Sequence, residues 1–61
     1  MNVRIANKLP QTVRASVLDA NGVPVEVVLP PNGVSDAVEE SKISAHTKSL
    51  VRAGHVRIRP A

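Results

Sequence analysis

The chain has 61 residues, a formal net charge of +3, five prolines, and neither an aromatic residue nor a cysteine. Its length leaves room for one domain, and its 43 % apolar content is that of a folded protein rather than a disordered tail. The longest apolar run, Val27-Val28-Leu29, excludes a membrane-spanning helix, and Met1 to Lys8 has no stretch apolar enough for a signal peptide.

Asn2 to Asn7 alternates, with Val3 and Ile5 on one face and Asn2 and Arg4 on the other, which predicts a half-buried strand. Pro10 interrupts it and forces Leu9 into an extended or turn conformation. Val13, Ala15 and Val17 then alternate with Thr12, Arg14 and Ser16. After Asp19-Ala20-Asn21-Gly22 come Val23, Val25, Val27 and Leu29. Two hairpin loops compete here. A two-residue Asn21-Gly22 turn would place Arg14 and Ser16 beside Val27 and Val25 on one face. A three-residue loop, Ala20-Asn21-Gly22, sets Val17 opposite Val25, Ala15 opposite Val27 and Val13 opposite Leu29. A one-residue slip inverts every side chain, so the wholly apolar face selects the three-residue loop. Asp19 as the first turn residue and Gly22 at the left-handed position of a G1 bulge suit that choice.

Pro30-Pro31-Asn32-Gly33 reads as a second turn in which proline presets φ and glycine supplies φ > 0. Val34 to Val38 follows as a short strand with Val34 and Val38 on one face. Pro24 and Pro30 lack the N–H a central strand must donate, so the 23–30 strand is expected to have one poorly paired side. From Ser41 the period becomes helical. Ile43, Thr47, Leu50, Val51 and Gly54 share one side, Lys48 and Arg52 another. Ser44 is the expected N-cap and Gly54 the C-terminal stop, with Arg52 favourable at the negative end of the helix dipole. Val56 and Ile58 alternate with His55, Arg57 and Arg59 in a closing strand ended by Pro60. The predicted order is β-β-β-(β)-α-β. The fold class is α+β, mainly β: a small antiparallel sheet or open barrel built on the three-residue-loop hairpin, one short helix in the C-terminal half, and a closing strand.

Catalytic chemistry finds little to work with. Ser44 and His46 stand two apart in the predicted helix and point to different sides, so a cap and a surface histidine are expected rather than a nucleophile and its base. Glu39 and Glu40 are adjacent and diverge if extended. His46, His55, Asp36, Glu39 and Glu40 have no metal-site spacing, and Asn21-Gly22 and Asn32-Gly33 have no phosphate-loop pattern around them. A non-enzymatic protein without cofactor or metal is expected.

Charge is distributed unevenly. Residues 1–35 carry +1, residues 36–40 carry −3 through Asp36, Glu39 and Glu40, and residues 41–61 carry +5 with no acid. The basic segment suits either a charge-complementary subunit interface or phosphate contact by Lys48, Arg52, Arg57 and Arg59 along one stripe. The absence of aromatic platforms for bases limits the latter to non-specific binding. Arg4, Arg14, Arg57 and Arg59 are the candidate partner-binding residues, since arginine is enriched in interface anchors.

Omitting aromatics has an energetic consequence. Each buried aromatic contributes roughly 150–250 Å², worth about 4–6 kcal/mol of gross burial at about 25 cal/mol per Å². Small domains compensate with disulfides, metals or oligomerisation. Without cysteine and with few metal ligands, association with other chains is what remains, and a homo-oligomer is expected.

The run Val25 to Gly33, followed by Ser44 to Ile58, resembles very short structural proteins of tailed bacteriophages, with a valine-rich strand, a proline-rich turn, an S-x-H helix, a glycine and a basic strand. The resemblance covers about half the chain and carries over no functional residue. It implies a minor capsid or capsid-decorating subunit, located in the virion after assembly in the host cytoplasm, whose partners are the major capsid protein, other virion proteins or its own copies. The alternative is a small basic nucleic-acid-binding or regulatory module.

Overall fold

The computed structural model covers residues 1–61. Its elements run β1 (Asn2–Asn7), β2 (Val13–Leu18), β3 (Pro24–Leu29), β4 (Val38–Glu39), a 3₁₀ turn (Glu40–Lys42), α1 (Ala45–Ala53) and β5 (Val56–Pro60). This is the α+β, mainly β, architecture expected from the sequence. The sheets are two, both antiparallel: a three-stranded sheet of order β4-β1-β5 and the hairpin β2-β3. They do not close into a barrel.

The hairpin adopts the register that its apolar face demands. Val17 pairs with Val25, Ala15 with Val27 and Val13 with Leu29. Gly22 takes φ 76°, the Gly22 N–H donates to the Asp19 carbonyl at 3.0 Å, and the Asp19 N–H donates to the Val23 carbonyl at 2.9 Å. The Asp19 carboxylate also accepts from the N–H groups of Asn21 and Val23, at 2.8 and 2.9 Å. Loop polarity and strand pattern therefore specify the same turn.

The second turn differs from expectation in which residue bends. Asn32, not Gly33, has the positive φ, 58°. With Pro31 ahead of it and the Gly33 N–H donating to the Pro30 carbonyl at 2.8 Å, this has the character of a type II turn, whose third position accepts asparagine. Gly33 is needed for space instead: a Cβ there would lie 2.5 Å from the Pro30 ring.

The predicted 34–38 strand shrinks to Val38–Glu39, which pairs with Val3 and Asn2. Val34 makes only a lone bridge to Ala6. Since Ala6 and Val3 lie on opposite faces of β1, Val34 and Val38 do not share a face. The cause is Ser35. Its Oγ accepts the Ile5 N–H at 2.9 Å and donates to the Asp36 carbonyl at 2.9 Å, while its own N–H donates to the Ile5 carbonyl at 2.8 Å. A side chain thus takes the place of a ladder carbonyl, and regular pairing lapses there.

α1 begins and ends where the sequence indicates. Ser44 is the N-cap, its Oγ accepting the Thr47 N–H at 3.2 Å. Gly54 ends the helix at φ 83°, with Gly54 N–H donating to Val51 O and His55 N–H to Leu50 O, the bond pair of a Schellman ending. Of the predicted apolar side, Ile43 and Thr47 are buried, Leu50 is half-buried, and Val51 is exposed. Pro60 lies inside β5 rather than beyond it, opposite Val3.

The core lies between the two sheets. It consists of seven apolar residues: Val3 and Ile5 of β1, Val13 and Ala15 of β2, Leu29, Ile43 and Val56. Asn7 is buried among them and serves as a staple. Its Nδ2 donates to the carbonyls of Gln11, Pro30 and Leu29 at 2.8, 2.9 and 3.3 Å, and its Oδ1 accepts the Leu9 N–H at 2.8 Å. One side chain therefore ties the β1–β2 connection to the end of β3.

Candidate functional site

Arg4, Arg57 and Arg59 come together. Arg4 is the direct partner of Arg59 across β1 and β5, and Arg57 is the partner of the adjacent Ala6. Val3, Ile5 and Val56 turn into the core, so alternation puts all three arginines on the solvent face of the three-stranded sheet. Arg4 is anchored there by Nη1 donating to the Ser35 carbonyl at 3.1 Å. Two of the five cations of residues 41–61 thus join Arg4 in a guanidinium face, with Glu39 of β4 two residues out of line at its margin, opposite Asn2.

Arg14 does not join it. It lies on β2, in the other sheet, opposite Val28. Lys48 does not join it either. Lys48 lines a shallow open groove with Glu40, Ile43, Val51 and Ile58. Ile58 alternates with Arg57 and Arg59, so the groove and the guanidinium face lie on opposite sides of β5. The single stripe of Lys48, Arg52, Arg57 and Arg59 expected from their closeness in sequence is therefore not assembled.

The Ser44/His46 pair is occupied with structure. Ser44 Oγ lies 2.6 Å from Ser16 Oγ and 2.9 Å from the Ser16 carbonyl, and His46 Nε2 lies 3.2 Å from the Arg14 carbonyl. The Thr47 hydroxyl accepts the Ser16 N–H at 3.0 Å and donates to the Ser16 carbonyl. Val17 adds a backbone bridge to Ile43. Together these groups cover the edge of β2 that β3 leaves open. No three His, Asp or Glu side chains converge as metal ligands, and no helix is long and apolar enough to cross a membrane.

The edge of β3 is different. Hydrogen-bonded pairs alternate along an antiparallel ladder, and the Asp19–Val23 bond fixes their phase. Val17/Val25, Ala15/Val27 and Val13/Leu29 exchange the hairpin bonds, and the N–H and C=O of Glu26 and Val28 point away from β2. No other strand pairs with β3. Val25 and Val28 are 47 % and 55 % exposed beside this edge. The sequence signals it through Pro24 and Pro30, which bracket it.

No protein-family model, curated protein or solved structure matches the chain.

Proposed function

We propose that this chain is a non-enzymatic structural subunit whose fold is completed by association, of the minor capsid or capsid-decorating kind that its sequence resembles. The observation that carries the reading is the disparity between a core of seven apolar residues and the open, valine-flanked edge of β3. A small core without aromatic rings or disulfides gains little from burial within one chain. An unpaired edge is where another chain adds most readily. An assembled shell supplies such contacts in many identical copies. The major capsid protein or further copies of this chain are the partners in this reading.

Sedimentation and thermal melts between about 1 and 500 μM test the association. The melting temperature should rise with concentration, because mass action couples folding to assembly. A compact monomer with a sharp, high and concentration-independent melt overturns it. For the virion assignment, purified particles should contain the chain at a fixed ratio to the shell protein, and particles without it remove that assignment.

The second reading, a basic nucleic-acid-binding module, is favoured by one observation: Arg4, Arg57 and Arg59 share a face. Three phosphate contacts correspond to a slope of about −2.7 in log affinity against log salt, or about a 40-fold loss between 50 and 200 mM. Absence of retention on DNA or RNA at low salt disposes of it.

A further inference from the structure

We infer that the β3 edge pairs with the β3 edge of a second copy, antiparallel about a two-fold axis at Val27, giving a continuous sheet of order β2-β3-β3-β2. The inference rests on the association reading and specifies its surface and register.

The outward-facing backbone groups of β3 restrict the choices. In any antiparallel self-pairing across this edge, Pro24, Glu26, Val28 and Pro30 are the residues in hydrogen-bonding phase. Centring the two-fold on Glu26 sets two carboxylates opposite each other, which is unfavourable. Centring it on Val28 sets Glu26 opposite Pro30, which has no N–H to donate. Centring it on Val27 sets Glu26 of each copy opposite Val28 of the other, and all four N–H groups find carbonyls. The next pair outward is Pro24 with Pro30, at both ends. The prolines thus stand symmetrically about Val27 and limit the ladder to one four-bond window. That spacing fits a self-complementary partner.

Side chains and charge agree with this register. Val27 meets Val27 of the second copy on the core side, and Val25 lies beside its Leu29, covering part of the exposed valine surface. On the opposite face, Arg14 is the partner of Val28 and Ser16 of Glu26 within each hairpin. Across the joint sheet the row becomes Arg14, Val28, Glu26 of the second copy, Ser16 of the second copy. Arg14 and the second copy's Glu26 then stand two strand spacings apart, roughly 10 Å between Cα atoms. Both side chains are long enough to meet over Val28, and symmetry repeats the pair. Arg14, which stands apart from the other arginines, acquires a partner.

Three variants test the pairing, each checked for native far-UV dichroism. Glu26→Pro removes an N–H that the hairpin does not use, so the fold should persist while two of the four bonds are lost; the dimer should weaken at least about tenfold. Arg14→Glu and Glu26→Arg should each weaken it, and the double variant should recover it. Val27→Cys, in a chain with no other thiol, should oxidise rapidly to a disulfide dimer, because directly opposed non-hydrogen-bonded residues lie about 4.5 Å apart at Cα. Glu26→Cys should not. If the wild type associates but Glu26→Pro associates equally well, or Val27→Cys oxidises no faster than Glu26→Cys, the β3 pairing is wrong and the association reading stands. If the wild type stays monomeric to about 500 μM, the β3 pairing is wrong, and the association reading falls with it only if that monomer also melts sharply, at high temperature and independently of concentration.

Discussion

The Thr47 hydroxyl stands against both backbone groups of Ser16, accepting its N–H at 3.0 Å and donating to its carbonyl. A helix side chain here does what a neighbouring strand would do for the edge of β2. This explains why Thr47 is fully buried on a helix of otherwise modest burial. Thr47→Val keeps the shape and removes the hydroxyl. The Ser16 N–H then loses its partner beside the core, at a cost of about 1–3 kcal/mol. Thr47→Ser keeps the hydroxyl and should cost less, about 1 kcal/mol for the lost methyl. Urea melts of the two variants decide this; equal midpoints would show that the hydroxyl is not what matters.

Asn7 presents the reverse chemistry, a donor that serves three carbonyls. Asn7→Asp replaces that donor with an acceptor and sets a negative charge against those carbonyls. It should destabilise by more than Asn7→Ala, which itself should lose about 1–3 kcal/mol. The Asp variant should regain stability as pH falls, since the protonated acid can donate one bond. Denaturant midpoints at pH 7 and pH 4 give the comparison. A pH-independent loss in Asn7→Asp would mean that its carboxylate escapes to solvent.

What the sequence reveals depends on how far apart the interacting groups lie. The hairpin register, the Ser44 cap and the Gly54 stop arise from neighbouring residues, and the period-two or capping pattern specifies them. The second turn was legible as a turn, but asparagine and glycine both tolerate positive φ, so the sequence alone does not say which one bends. The guanidinium face was legible in part. Arg57 and Arg59 alternate visibly, whereas Arg4 joins them through the pairing of the first and last strands, and Arg14 is excluded by belonging to the other sheet. Asn7, Ser35 and Thr47 bond to near neighbours too, but the strands they staple, through Leu29, Ile5 and Ser16, lie 22 to 31 residues away, and chain order does not reveal those partners. Polar side chains at the end or middle of apolar patterns are the one indication that such staples exist.

The three glycines should respond to alanine for different reasons. At Gly22 and Gly54 there is open space for a Cβ, but φ is 76° and 83°. Each should cost about 1–2 kcal/mol, the penalty of a left-handed backbone for an L-residue. At Gly33 the φ is ordinary and the obstacle is steric, with the Pro30 ring 2.5 Å from a Cβ and the Pro30 carbonyl 3.0 Å. The proline ring cannot swing aside, so the turn must move, and Gly33→Ala should be the most destabilising of the three. A urea series ranks them. If Gly33→Ala proves the mildest, the turn is softer than its contacts indicate.

Arg4 and Arg59 offer a separation of stability from binding. They are direct cross-strand partners of like charge, an arrangement that costs a fold a few tenths of a kcal/mol to about 1 kcal/mol relative to opposite charges. Arg59→Glu should therefore leave the protein as stable or slightly more stable, because the new carboxylate faces Arg4 and lies beside Arg57 along the strand. If the face binds phosphates, the same substitution should remove most of the retention on nucleic acid and flatten its salt dependence, since one cation is lost and a second is neutralised. If the face is merely solvated, stability rises and nothing else changes. Thermal melts and a salt-graded retention assay on Arg59→Glu and Arg59→Gln give both readouts. Gln removes the repulsion without supplying an anion, so a binding loss in Glu that Gln shares only in part marks electrostatic contact rather than altered packing. A stability loss in Glu with unchanged Gln would contradict the strand register itself, because only in that register does Arg4 stand opposite the new carboxylate.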